Sequence, residues 1–334
     1  MKKLIFALAA IALAACSNEE TIERNRTEAI AFDQVFVDNS TRSVNDPSLT
    51  GANIRDFAVY GVVEGDQSNA YIFNNVKVEG SGVGENASWS YSDGAIQYWV
   101  VDAVYNFAAV APASCGQVGA FAIDGSATTL SFTNTGTTDL LYAQPADAIV
   151  GKAADNKPVA FTFRHTLSKV KFSFENNYVA TGTKVAVENI QITNAHETAT
   201  ATMSATTTDW ADQTGEITLS FGDATDNEAT TEKEETAVAY ALGATYESEN
   251  ELLLIPSDSY AYNVTYTVKI YMGSTLIKTI DHTATLTFAP APGTSYDVKA
   301  VLTAANVDEV AQEPIQFTVT AIDGWANGTV DNLQ

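Results

Sequence analysis

Positive charge, cysteine and long apolar runs are scarce in this sequence. Its 17 basic residues stand against 41 acidic ones, for a formal net charge of −24. A surface that acidic repels polyanions, which argues against nucleic acid as a partner and against electrostatic attraction to anionic lipid. The two cysteines, Cys16 and Cys115, are too few for a disulfide framework. Cys115 stands among Ala113, Ser114, Gly116 and Gln117, with no base or cation to lower its thiol pKa. It is expected to be inert, in a loop or at a strand end. No apolar run reaches the ~20 residues of a membrane-spanning helix. Helical periodicity of any length is missing too, and methionine and lysine are sparse.

Catalytic signatures are also lacking. His165, His196 and His282 occur singly, and His196-Glu197 is not completed by a histidine at the spacing of a zinc-protease motif. Gly80-Ser81-Gly82-Val83-Gly84 lacks the Gly-Lys-Ser/Thr of a phosphate loop and reads as a hairpin turn. There is no Gly-x-Ser-x-Gly elbow. Residues 223–228 (DATDNE) offer carboxylates without the glycine of a calcium loop, which leaves weak calcium binding as an open alternative. No enzyme, cofactor or metal site is expected.

The sequence does carry an address. Lys2 and Lys3 precede the apolar run 4–13 and then Leu13-Ala14-Ala15-Cys16. This is a secretory signal with a lipobox, so residues 1–15 are expected to be removed and Cys16 to carry acyl chains such as palmitate. Residues 16–26 are polar and read as a flexible tether. Beyond it lie short alternating strands. Residues 29–37 alternate through Ile30, Phe32, Val35 and Val37, and the change of face between Phe32 and Val35 predicts a bulge. Residues 88–101 read as a hairpin about Asp93-Gly94. Separate strands are expected at 159–163, 184–193, 198–203, 216–221 and 237–242, with a surface loop over 222–236. Gly273-Ser274 is a two-residue turn. The last strand, 315–322, puts Ile315, Phe317, Val319 and Ala321 on one face. A thinning of composition over 144–158 divides the chain into units 27–156 and 157–334. Fifteen or so short strands without a long helix predict an all-β protein of two β-sandwiches in tandem.

Several segments together resemble the fimbrillin family, the type V pilins and fimbrillin-like adhesins of the Bacteroidota. They are the lipobox, the first strand ending at Thr41-Arg42, residues 105–112 (YNFAAVAP), 139–143 (DLLYA), 161–170 (FTFRHTLSKV) and the terminal strand before Gly324-Trp325. The resemblance implies two transthyretin-like Greek-key sandwiches and a lipoprotein precursor exported to the outer membrane. It further implies polymerisation into a surface fimbria that serves adhesion to a host or bacterial ligand. In shaft subunits an Arg-specific protease removes the first strand, and a neighbour's strand fills the groove. Carried over, the cut falls at Arg42, with Arg55 less favoured, and the donor strand bears Ile315, Phe317, Val319 and Ala321. Glu19-Glu20 has two readings, a solvated linker or an export tag of the kind that follows the lipid cysteine in such lipoproteins. The competing reading of the whole is an uncut surface lipoprotein, a tip or anchor adhesin or a glycan-binding module, with Trp89, Tyr98, Trp99 and Trp210 as a sugar platform.

Overall fold

The computed structural model describes residues 26–37, 54–65, 70–81, 88–180, 182–225, 242–307 and 315–322. These residues form an all-β protein. The first strands are β1 (Arg26–Ala29), β2 (Phe32–Val37), β3 (Asp56–Val63), β4 (Ala70–Ser81), β5 (Ser88–Tyr91), β6 (Tyr98–Val100) and β7 (Val104–Ala111). There follow β8 (Val118–Asp124), β9 (Ala127–Thr133), β10 (Leu141–Ala143), β11 (Ile149–Val150), β12 (Val159–His165) and β13 (Ser168–Asn176). The rest are β14 (Thr183–Met203), β15 (Thr208–Gly222), β16 (Ala224–Thr225), β17 (Thr245–Ser248), β18 (Leu252–Leu254), β19 (Tyr260–Met272), β20 (Thr275–Phe288), β21 (Ser295–Leu302) and β22 (Phe317–Ile322). The one α-helical stretch among the described residues is the single turn Ala304–Val307.

The first sheet runs β2-β12-β10-β7-β3-β4-β5, with β11 also on β7. Its central strands are buried on both faces, which is why β3 (DFAVYGVV) and β7 (VYNFAAVA) read as nearly unbroken apolar runs. One face carries Phe57, Val59, Phe107, Ala109, Phe161 and Phe163. The sheet curls around this face until its ends meet: Tyr91 at the end of β5 donates its hydroxyl to the carbonyl of Ile30, just before β2, at 2.6 Å, and β1 pairs with β6. The opposite face carries Ala58, Tyr60, Val62, Ala108, Val110 and Tyr142, which pack on Leu130, Phe132, Ala199 and Ala201.

The second core lies between the sheet β16-β17-β13-β21-β22, with β18 on β13, and a sheet built on β14. Val170, Phe172 and Phe174 of β13 meet Val185, Val187, Ile190 and Ile192 of β14 there. At 21 residues, β14 is about 70 Å long. Its first half pairs with β19, and its last six residues pair with β9 (Thr198↔Thr133 to Met203↔Thr128). One sheet therefore serves both this core and the cluster on the outer face of the first sheet. Arg164 latches the tip of the β14–β15 hairpin. Its guanidinium donates to the carbonyls of Ala205 (3.0 Å), Ser204 (2.7 Å) and Thr207 (2.5 Å) while stacking over Tyr142.

These pairings correct the sequence reading at several points. The unit expected to end at 156 does not match the sheets: β12 lies in the first sheet, between β10 and β2, and β8 and β9 join the sheet of the second core. The strands expected at 184–193 and 198–203 are one strand, because register shifts at 188/191 and 192/195 change the phase of its alternation. Residues 88–101 do not form a hairpin. After β5 the chain takes a 3-10 turn at Asp93–Ala95, β5 pairs with β4, and β6 pairs with β1. Residues 226–241 lie outside the described residues, and with them most of the expected surface loop and of the strand at 237–242. The predicted hairpin at Gly273-Ser274 is present, with Met272 opposite Thr275 and Gly273 at φ 61°, a left-handed conformation that favours glycine. The bulge predicted in the first strand is also present. Ala160 pairs with Asp33 but Thr162 with Phe36, so β2 carries one extra residue.

The Arg164 latch gives a direct test. Arg164→Met keeps most of the stem but leaves the carbonyls of the hairpin tip without their donor. It is expected to lower stability by about 1–3 kcal/mol. Urea unfolding followed by tryptophan emission reads this, since Trp210 of β15 sits beside the latch and donates to the Thr166 carbonyl at 2.9 Å.

Candidate assembly interface

Two strands meet the requirements for exchange between subunits: each ends a sheet, and each sends a regular set of apolar side chains inward. The first is β2, at the edge of the first sheet and parallel to β12. Its Phe32 is the hub of an aromatic cluster, with ring centroids 5.4 Å from Phe73, 5.6 Å from Tyr91, 5.9 Å from Phe161 and 6.1 Å from Phe57. Ile30, Phe32 and Val35 are all buried. At roughly 1.5–3 kcal/mol for each fully buried side chain, the three together approach the net stability of a whole domain, about 5–15 kcal/mol.

The second is β22, which ends the sheet of the second core and lies antiparallel to β21, from Ser295↔Ile322 to Ala300↔Phe317. Within this chain it closes its own core. Ile315 is buried, and the Phe317 ring packs edge-on against Phe172 (5.6 Å), Tyr266 (6.0 Å) and Phe174 (6.2 Å). Val319 is half-buried on the same side. Ala321, expected to complete the inward set, is exposed, although it pairs with the buried Tyr296. Beneath Phe317 lies Tyr266, which the sequence did not mark, beside one of the three isolated histidines. Tyr266 and His282 stack at 5.2 Å, and their Oη and Nε2 atoms are buried without a hydrogen-bond partner. Burial raises the Tyr266 pKa and lowers that of His282. Only their pairing across β19 and β20, Tyr266↔His282, brings them together.

Cys16 and Arg42 lie outside the described residues. Arg55 immediately precedes β3, whose interior is buried. Cys115 is buried, and burial pushes its thiol up to about 11, in keeping with an unreactive side chain. His165 Nδ1 lies 2.6 Å from Asp139 Oδ2 in a largely buried pair. The adjacent Thr166 hydroxyl is committed to the Leu140 carbonyl at 2.7 Å. Among the described residues no group of three or more His, Cys, Asp or Glu side chains is arranged to hold a metal. The four aromatics considered as a sugar platform do not share a surface. Trp99 is buried against Tyr105, Trp89 packs on Phe57, and Trp210 packs on Phe132, which leaves Tyr98 exposed.

Among solved structures, the fold is similar to that of a fimbrial protein from Bacteroides vulgatus, with a TM-score of 0.56 at 14% identity over 89% of this chain and 99% of that one. A candidate cell adhesion protein from Bacteroides ovatus gives 0.48 at 16% identity over 90% and 98%. No curated protein sequence matches. A family model described as fimbrillin-like covers residues 41–325, most of the sequence. The chain belongs to the fimbrillin-like family.

Proposed function

We propose that this protein is a structural subunit of a cell-surface fimbria, exported as an outer-membrane lipoprotein through Cys16 and polymerised by strand exchange. Family membership supports a fimbrial subunit or adhesin role at the cell surface and contact with other fimbrial subunits. In the finer reading, cleavage after Arg42 removes the tether together with β1 and β2. The groove left beside β12 is then filled by β22 of a neighbour. We assign the chain no catalytic role.

One observation carries this reading: β2 and β22 present the same inward sequence. In the first, Phe32 and Val35 face the core together with Ile30, two residues before the strand; in the second, Phe317 and Val319 do so with Ile315, again two residues before it. The spacing differs by one residue, which is the extra residue of the β2 bulge. A neighbour's β22 laid along β12 with the polarity of β2 would offer isoleucine, phenylalanine and valine to the same three places. Main-chain hydrogen bonds then supply affinity, and the alternate side chains set the register. The family match begins at residue 41, just beyond β2.

Two measurements test the proposal. Mass spectrometry of surface-assembled protein is expected to find chains beginning at Ser43 and free of lipid; a lipidated Cys16 persisting throughout the polymer would sink the cleavage step and favour an anchor or tip adhesin. Cysteine pairing tests the register. Phe32 pairs with Val159 on β12, so subunits carrying Val159→Cys and subunits carrying Phe317→Cys are expected to form a disulfide only in the polymer. Polymer that forms without that bond rules out β22 as the donor.

A further inference from the structure

The exposed apolar side chains gather at opposite ends of the molecule. The strand ladders fix which end is which. Val104 of β7 pairs with Val150, and seven residues later Ala111 pairs with Leu141, itself opposite His165 at the centre. From Ser168 the chain continues through β13 to Asn176, opposite Leu302. Val104 and Asn176 thus mark two poles.

At the first pole, Ile96, Tyr98 and Val100 project from the outer face of β6 and its approach, with Val150 alongside. A Cβ on Gly151 would lie 2.1 Å from the Val100 carbonyl oxygen, so β6 and the end of β11 are in direct contact. At the second pole, Val179 (76% exposed), Leu242 (61%), Met272 (55%) and Leu276 (47%) surround the turn after β13. The Gly243 amide donates to the Asn176 carbonyl and the Gly273 amide to that of Gly182, which ties the three segments together. The segments 94–101, 176–183, 242–245 and 270–277 contain no Asp, Glu, Lys or Arg, and exposed Asp102 and Lys152 stand at the rim of the first patch.

We propose that consecutive copies of this chain touch pole to pole, the Tyr98–Val100–Val150 patch of one seated on the Val179–Met272–Leu276 patch of the next. The inference rests on the strand-exchange reading for its choice of partner. At a net charge of −24, copies repel each other wherever their acidic surfaces meet, so contact is favoured where segments free of charge expose apolar side chains. A contact between two different patches at opposite ends is heterologous and propagates into a filament. Chain length adds an independent constraint. The donor strand is rooted at Val307, on the second pole beyond Leu302, and eight residue steps separate Val307 from Ile315. They span at most about 26–29 Å. The acceptor groove opens at Val159, beside Phe32, on the side of β12 away from His165. A β22 entering there with the polarity of β2 brings Ile315 in first, so the second pole of the donor must lie close to the first pole of the acceptor.

A bismaleimide cross-linker of short span tests the contact in polymer assembled from the exported protein. A chain carrying Val150→Cys and Val179→Cys is expected to give covalent ladders, since the two sites are too far apart to bridge within one molecule. Ladders here without the Val159–Phe317 disulfide uphold the polar contact and sink strand exchange. The disulfide without ladders overturns the polar contact alone. As a second arm, Met272→Glu with Leu276→Glu is expected to cut polymer yield at least tenfold while leaving monomer melting unchanged, because both side chains are exposed. Adding Tyr98→Lys with Val100→Lys should restore it. Normal polymer from the glutamate variant, or a loss that the lysines do not restore, also overturns the proposal.

Discussion

A backbone edge that is buried must find hydrogen-bond partners, and this constraint governs the architecture. β12 shows it most directly. On one side it is satisfied by β10, the next strand but one before it in sequence; on the other it depends on β2, from the start of the chain. Because β2 also supplies the central ring of an aromatic cluster, its loss would leave an open ladder and a hole in the core together. That coupling makes a strand replaceable only by another with matching side chains. The second sheet ends in β22, whose inward side chains have that match.

The local pattern of the sequence and the pairing of its strands were not equally legible. Alternation marked most strands, the bulge of β2 and the Gly273-Ser274 turn, because each is encoded within a few neighbouring residues. Partner choice is not encoded there. The alternation of β12 would look the same in either sheet, and only the chain's return past β10 and β2 puts it in the first. β14 was read as two strands because bulges reverse its phase midway. The aspartate-glycine pair after β5 suggested a hairpin, but β1 and β4 offered competing partners for the two strands it joins. The inward set of β22 was legible as far as Val319. What lies beneath it was not, since Tyr266 and His282 belong to strands that only tertiary pairing sets beneath β22.

The ionisable groups with perturbed pKa values reflect the same economy. Cys115, Tyr142, Tyr262 and Tyr266 are raised by burial, and His196 and His282 are lowered by it. Each shift follows from enclosure in or against a core. The charged side chains are left on the outer faces, in ladders such as Lys169–Glu251 and Lys299–Glu175. An acidic, well-solvated flank with apolar ends is the surface expected of a body that associates along one axis.

The length of β14 has a mechanical meaning. A fibre pulled along its axis loads each subunit from one end to the other, and two sandwiches joined by a linker would yield at that joint. Here a single strand, bonded to β19 at one end and to β9 and β15 at the other, runs through the place where the joint would be. Tension along that strand loads its hydrogen bonds side by side, in shear, so many must fail at once. Load along that strand passes from one core to the other through backbone ladders, with no linker to give way.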